Sequence, residues 1–203
     1  MIIVGLTGSI AMGKSTVAAM FAAEGAPFFD SDAAVHAFYR GAGASTVESL
    51  FPGVLLDGVI DRDRLAQRVL GDSAALARLE GVVHPAVAKA RRDFVLSAAA
   101  QGRRLVVIDI PLLFESGSEG SLDVIVVVSA SETVQKARAL AREGMTFDRF
   151  DKIIARQIPD TEKRRRAHVV IDTNGAVEVT RDRVRGFLRC TAGMVGKRTG
   201  PHA

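Results

Sequence analysis

The sequence predicts a doubly wound α/β fold built on a five-stranded, mostly parallel sheet. Three observations carry that prediction. Five short apolar runs are distributed along the 203-residue chain, helical patterns alternate with them, and the first run feeds a glycine-bearing loop, GSIAMGKS, that opens directly into a helix.

Taken in order, Ile2, Ile3, Val4 and Leu6 read as a strand without polar alternation, as expected where helices cover both faces of a sheet. KSTVAAMFAAEG follows as a helix ended by Gly25. The remaining strands are APFF (26–29), RLVVIDIPLLF (104–114), LDVIVVVS (122–129) and HVVID (168–172). Helical patterns occupy 14–24, 131–143, about 147–157 and 177–189. Residues 33–101 break this rhythm. They hold no strong strand but carry helical pieces near 33–40, 43–51, 61–70, 73–82 and 85–100, with a turn at LLDG. The economical arrangement is a core made of 1–32 and 102–190, with 33–101 inserted as a helical subdomain suited to holding a second substrate. The tail 191–203 has glycine, proline and charge without periodicity, and is expected to be mobile.

Composition narrows the classes. A 48% hydrophobic content supports a sizeable core. No run approaches the roughly 18 apolar residues of a membrane span, and no basic region with a cleavable apolar segment opens the chain, so a cytoplasmic protein is expected. Cys190, the single cysteine, has no internal disulfide partner and suits a reducing compartment. Four histidines without an HExxH spacing argue against a zinc enzyme. The net charge of +4 rests largely on arginine, whose fork matches phosphate oxygens. Nucleic acid is the competing partner, but one tyrosine, no tryptophan and a single basic cluster argue against it.

The loop fits Gly-x-x-x-x-Gly-Lys-Ser in the strand–loop–helix context that such a phosphate loop requires. Gly8 and Gly13 permit backbone angles that turn successive N–H groups inward, and at Ala11 and Met12 only the N–H direction matters. Lys14 would reach the β- and γ-phosphates of ATP, Ser15 would ligate Mg²⁺, and Thr16 would face the α-phosphate.

Two carboxylate positions follow. In FFDSD, Asp30 and Asp32 alternate and would share a side if the chain stays extended, at the sheet edge where ligands gather. One of them could accept a proton from an acceptor hydroxyl, while a helix cap is the alternative reading. Asp109 closes an apolar strand, as the second acidic element of phosphate-loop proteins does, and would meet Mg²⁺ directly or through water. Beyond Pro111, Leu112 and Leu113 would line the crevice or join the core, and Glu115 would cap a helix or meet a cation.

The segment from Gln135 to Arg166 is rich in cationic residues, among them Arg138, Arg142, Arg149, Arg156, Lys163, Arg164, Arg165 and Arg166, which suit a helical lid at about 140–166 closing over a triphosphate. Arg138 and Arg142, four apart, would share a helix face; Arg142 is the stronger candidate for touching the migrating phosphoryl group. His84-Pro85 separates two helical stretches, and a lone histidine there is more often structural than catalytic.

Taken together, GLTGSIAMGKSTV, FFDSD, IDRDRL, LEGVVHPAV, IDIPLLFESG, QKARALAREGMT and RQIPDTEKRRRAHVVIDTNG resemble the dephospho-CoA kinase family over roughly residues 2–189. The ordered set DxD, HP, PLLFE, QxxRxxxR and QxP is far more specific than the phosphate loop alone. The resemblance implies a P-loop kinase core with a helical CoA-binding domain and a lid. It also implies ATP-dependent phosphorylation of the ribose 3′-hydroxyl of dephospho-CoA, the last step of coenzyme A synthesis. It places Asp32 as base or orienting group, with Asp30, Arg62, Leu65, His84, Pro85, Leu112 and Leu113 around the acceptor. Arg142 matches the lid arginine, and Asn174-Gly175 the turn near the adenine. Two departures stand out: SIAMGKS occupies the place of the usual GIGSGKS, and His168 stands where an aspartate is common, at the opening of a strand. Another small-metabolite or nucleoside kinase on the same core is the alternative. A GTPase is disfavoured because Asn-Lys-x-Asp and Thr-Lys-x-Asp are absent.

Overall fold

A strand buried on both faces needs partners on both edges, and in the computed structural model, which describes residues 1–196, the first strand has them. In chain order the elements are β1 (Ile2–Thr7), α1 (Lys14–Ala23), β2 (Phe28–Phe29), α2 (Ser31–Arg40), α3 (Ala44–Leu50), β3 (Leu55–Leu56), β4 (Val59–Ile60), α4 (Arg62–Val69) and α5 (Ser73–Ala100). They continue as β5 (Leu105–Asp109), a 3₁₀ turn at Ser118–Ser121, β6 (Val124–Ser129), α6 (Glu132–Leu140), α7 (Phe147–Ile154), α8 (Asp160–Arg166), β7 (Val169–Asp172) and α9 (Val177–Thr191). Five strands form one sheet in the order β2-β5-β1-β6-β7, with every neighbouring pair parallel. This is the expected α/β architecture.

The period-2 geometry of β6 shows how the apolar runs become a two-sided core. Val124, Val126 and Val128 join Val4, Leu6, Val17, Phe21 and Val184 in one cluster, where Phe21 of α1 meets Phe187 of α9 edge to face at 5.7 Å. Ile125 and Val127 join Leu113 and Phe114 in another. Parallel register sets the strand ends side by side: Leu6 pairs with Asp109, and Ser129 with Asp172.

Two compact units emerge, Asp30–Ser97 and the remainder, Met1–Phe29 with the chain from Ala98 onward. The smaller unit has its own core, which includes Tyr39, Val47, Phe51, Leu65, Leu79 and Val83. The expected turn at LLDG is the tip of a short β3–β4 hairpin. Asp57 and Gly58 both have positive φ (48° and 80°), as a two-residue type I′ turn demands.

The structure corrects four readings of local sequence. The helical patterns at 73–82 and 85–100 are one helix, α5, with Pro85 inside it. Proline removes the bond to the carbonyl four residues back, but that residue, Gly81, is exposed to water. Ala75, Leu79 and Val83, buried, and Val87, packed against the same core, continue one apolar stripe at four-residue spacing across Pro85 and hold the helix on course. The third long strand stops at Asp109, short of Pro111, which lacks a ladder donor. Residues 160–166 form a separate short helix. Finally, α6 ends at Leu140, where the Arg142 N–H tightens onto the Ala139 carbonyl and Gly144 takes φ +70°, so Arg142 lies beyond the helix. Of the tail expected to be mobile, 197–203 lies outside the described residues. No described helix is long and apolar enough to cross a membrane.

The segment following α7 is fixed to the turn beyond β5 by an ion pair. Lys163 Nζ, fully buried, lies 2.9 Å from Glu115 Oε1 without hydrogen-bond alignment, and the same oxygen accepts the Ile158 N–H at 2.9 Å. Glu115 thus has the cationic partner that was one of its two readings. Burial pushes the Glu115 carboxyl up, but the Lys163 ammonium and the Ile158 N–H outweigh it and leave the group below its ordinary value of 4.5. A carboxyl lowered by folding contributes stability above the unfolded value and loses it as pH falls through the folded one. Glu115→Gln, which strands a buried ammonium, is expected to cost about 3–5 kcal/mol in urea denaturation at pH 7 and to flatten the loss of stability below pH 4.5. Superimposable curves for the two proteins would show that the pair does not hold this segment.

Candidate active site

The loop between β1 and α1 has the shape its glycines require. A Cβ on Gly8 would lie 2.6 Å from the Val128 carbonyl oxygen, so only glycine lets β1 leave beside β6. Gly13, at φ +91°, turns the chain into α1. Ala11 also adopts a left-handed conformation, φ +62°, which costs a residue with a side chain roughly 1–2 kcal/mol. Met12 explains how this unusual loop is tolerated. Its side chain is buried in the core beside α1, its Sδ accepts the Ala130 N–H at 3.0 Å, and its carbonyl accepts the Thr173 hydroxyl at 2.8 Å.

Asp30, Asp61, Ser131 and Thr146 each cap a helix by accepting a first-turn N–H, whereas α3, α8 and α9 open without a side-chain cap. Helix α1 has no such cap, and Ser15 and Thr16 in its first turn are exposed. An uncapped N-terminus presents outward N–H donors and the positive end of the helix dipole, which together suit phosphate. At its edge, Lys14 Nζ lies 2.6 and 2.5 Å from the two carboxylate oxygens of Asp109. Strand register produces that contact, since Asp109 sits beside Leu6 at the end of β5.

Side chains from three other places hold the loop. Gln135 of α6 donates its amide to the Ile10 carbonyl at 2.8 Å, and Gln157 accepts the Ile10 N–H at 3.1 Å. Arg138 donates to the Thr173 hydroxyl at 3.0 Å and to the Thr173 carbonyl at 2.7 Å. Its guanidinium therefore braces the turn behind Gly13, and the expected shared face with Arg142 does not exist; Arg142 is exposed in the turn after α6. Asn174 accepts the Ser131 N–H at 2.7 Å and donates its own N–H and amide to Asp172 at 2.7 and 2.8 Å. The Asn174 backbone N–H, with its side chain, Arg183 and Arg164, holds the Asp172 carboxyl below the ordinary value against the opposing effect of burial. Gly175 has open space where a side chain would stand. His168 accepts the Ile125 N–H through Nδ1 at 3.1 Å, so the position works as a strand-opening acceptor.

The smaller unit carries most of the expected acceptor residues. Asp30 and Asp32 do not alternate along an extended chain, because α2 begins between them. Asp30 caps that helix by accepting the Ala33 N–H at 2.9 Å, and Asp32 is exposed in its first turn. Arg62, first in α4, lies 2.9 Å from Nε2 of His36, which must be unprotonated there to accept from a guanidinium. Burial raises the nearby Tyr39 phenol, partly offset by Arg62. His84 and Pro85 are exposed on α5, whereas Leu65 is buried in the core. In the larger unit Leu112 is 48% exposed and Leu113 is fully buried, so the two leucines answer the crevice-or-core question differently.

Sequence reasoning missed Gln135, Gln157 and Thr173 as partners of the loop, and His36 as the partner of Arg62. The signals were present: both glutamines begin quoted motifs, and His36 stands four residues beyond Asp32 on one helix.

Comparison with known proteins accounts for the combination. The dephospho-CoA kinase family pattern matches residues 2–178. A dephospho-CoA kinase of Rhodopseudomonas palustris is 48% identical over 97% of this chain and 98% of its own. One from Mesorhizobium japonicum is 49% identical over 97% and 100%. Among solved structures, TT1252 from Thermus thermophilus superposes with a TM-score of 0.78 at 37% identity, covering 93% of this chain and 96% of its own. With a phosphate loop whose Lys14 meets Asp109 at the end of β5, and a family match spanning most of its length, the chain belongs to the dephospho-CoA kinase family.

Proposed function

We infer that this chain transfers the γ-phosphoryl group of ATP to the ribose 3′-hydroxyl of dephospho-CoA, giving coenzyme A and ADP. The observation that carries the reading is the uncapped start of α1 beside Lys14 and Asp109, in a chain of this family.

In this reading the N–H groups from Ala11 to Ser15 cradle the phosphates, and Thr16 faces the α-phosphate. Lys14 leaves Asp109 for the β- and γ-oxygens, which exchanges one anionic partner for another at little cost. Ser15 and Asp109 offer the oxygen donors that Mg²⁺ takes, and would hold that ion, whose bound charge offsets the phosphates' own. Asn174 and Gly175 flank the adenine, and Arg138 serves the nucleotide indirectly, through Thr173 and Gly13. Arg142, exposed after α6, is placed to meet the transferred group as the lid of about 140–166 closes.

Asp32 orients the 3′-hydroxyl and receives its proton. Strand β2 ends at the same sheet edge as β1 and β5, and the chain continues from there into Asp30 and α2. The exposed residues Asp30, Arg62, His84, Pro85 and Leu112 would touch the acceptor, while the buried Leu65 and Leu113 would shape the walls behind. Charge on Arg62 suits the acceptor's phosphates.

Purified protein with ATP and Mg²⁺ is expected to release ADP only when dephospho-CoA is added, with a product heavier by one phosphoryl group. Release of the same amount of ADP without that acceptor, or with an unrelated nucleoside in its place, would defeat the assignment. Asp32→Asn is expected to bind ATP normally and turn over about two to four powers of ten more slowly, the usual span for a general base. Near-normal kcat in that variant would remove Asp32 from the chemistry.

A further inference from the structure

We propose that Gln135 and Gln157 are positioning residues for phosphoryl transfer, fixing the phosphate loop by holding both backbone polar groups of Ile10 from two different elements. The proposal rests on the kinase reading above and adds two residues to its machinery.

Ile10 lies between β1 and α1, so neither its N–H nor its carbonyl has a ladder or helix partner. Gln135, only 5% exposed, supplies the donor at 2.8 Å; Gln157 supplies the acceptor at 3.1 Å. Backbone chemistry fixes which end of each amide faces Ile10. A carbonyl only accepts, so Gln135 must present nitrogen; an N–H only donates, so Gln157 must present oxygen. The next residue is the strained Ala11, φ +62°. With Ile10 released, Ala11 can relax toward an ordinary conformation, and the N–H groups that follow lose their aim at the phosphates.

Gln157 is itself anchored. The next residue, Ile158, donates its N–H to Glu115 at 2.9 Å, and Asp160 accepts the Ser129 hydroxyl at 2.7 Å. The segment joining α7 to α8 and the first residue of α8 are thus tied at once to Glu115 beyond β5, to the end of β6 and to the loop.

The opposite amide ends give a test. Gln135→Glu and Gln157→Glu each bring one carboxylate against Ile10, so the added charge is common to both. Only Gln135→Glu loses its hydrogen bond, because a carboxylate accepts but does not donate. At pH 8 the ADP dissociation constant of Gln135→Glu, by calorimetry, is expected to exceed that of Gln157→Glu by about tenfold, the scale of one hydrogen bond with its unsatisfied partner. Lowering the pH to 5 is expected to narrow the gap, since a protonated carboxyl can donate to the Ile10 carbonyl. Equal constants at pH 8, or a gap indifferent to pH, would overturn the proposal. Should Gln135→Glu not fold, Gln135→Met keeps the volume without the donor: about tenfold weaker ADP binding in a folded protein supports the proposal, and unchanged binding overturns it. Because these readouts need no acceptor, the absence of dephospho-CoA turnover in the unsubstituted protein would count against the kinase reading alone.

Discussion

Backbone from Gly8 to Gly13 belongs to neither strand nor helix, and its buried polar groups must be satisfied from elsewhere. The rest of the larger unit is arranged around that requirement. Gln135 and Gln157 take Ile10, Thr173 takes the Met12 carbonyl, and Met12 in turn sends its sulfur to the Ala130 N–H. Each partner comes from a different element at the carboxyl edge of the sheet. What these bonds leave unsatisfied is the start of α1, where the donors point outward and an anion can settle.

Charge completes the arrangement. Lys14 is held on Asp109 by the register of β1 against β5, so the cation is retained at the mouth of the loop with a carboxylate in the place of phosphate. Glu115 and Lys163 perform a different task further along the same edge. Their pair is closed to water on the lysine side and fixes the segment that carries Gln157 and Asp160. The stretches PLLFE and QIP of this chain thus meet in space through Glu115 and the Ile158 N–H.

The sheet was legible because parallel strands buried on both faces leave unbroken apolar runs, as VIVVVS shows. The phosphate loop was legible because its spacing expresses backbone geometry. Local rules failed where tertiary contacts outweighed them. Pro85 signalled a break, but the apolar stripe of Ala75, Leu79, Val83 and Val87, packed on one core, kept α5 in one piece. At Asp30 and Asp32 it is one local reading that prevails over another: the helix cap, the alternative for this pair, holds, and α2 starts between them. The glutamines open recognisable motifs, but their shared partner Ile10 could not be assigned from sequence, since an amide that satisfies a distant backbone group looks like any other polar side chain. Thr173 is similar: only the fold reveals that it stands against Gly13.

The central claim is that surrounding side chains hold the loop in its phosphate-binding form before nucleotide arrives. Residue-resolved amide hydrogen exchange tests it most directly. In nucleotide-free protein the Ile10 amide should be strongly protected, while the Lys14 and Ser15 amides exchange freely and gain protection only with ADP. An Ile10 amide that exchanges as fast as Lys14 and Ser15 until ADP is added would show that the nucleotide, and not the framework, shapes the loop.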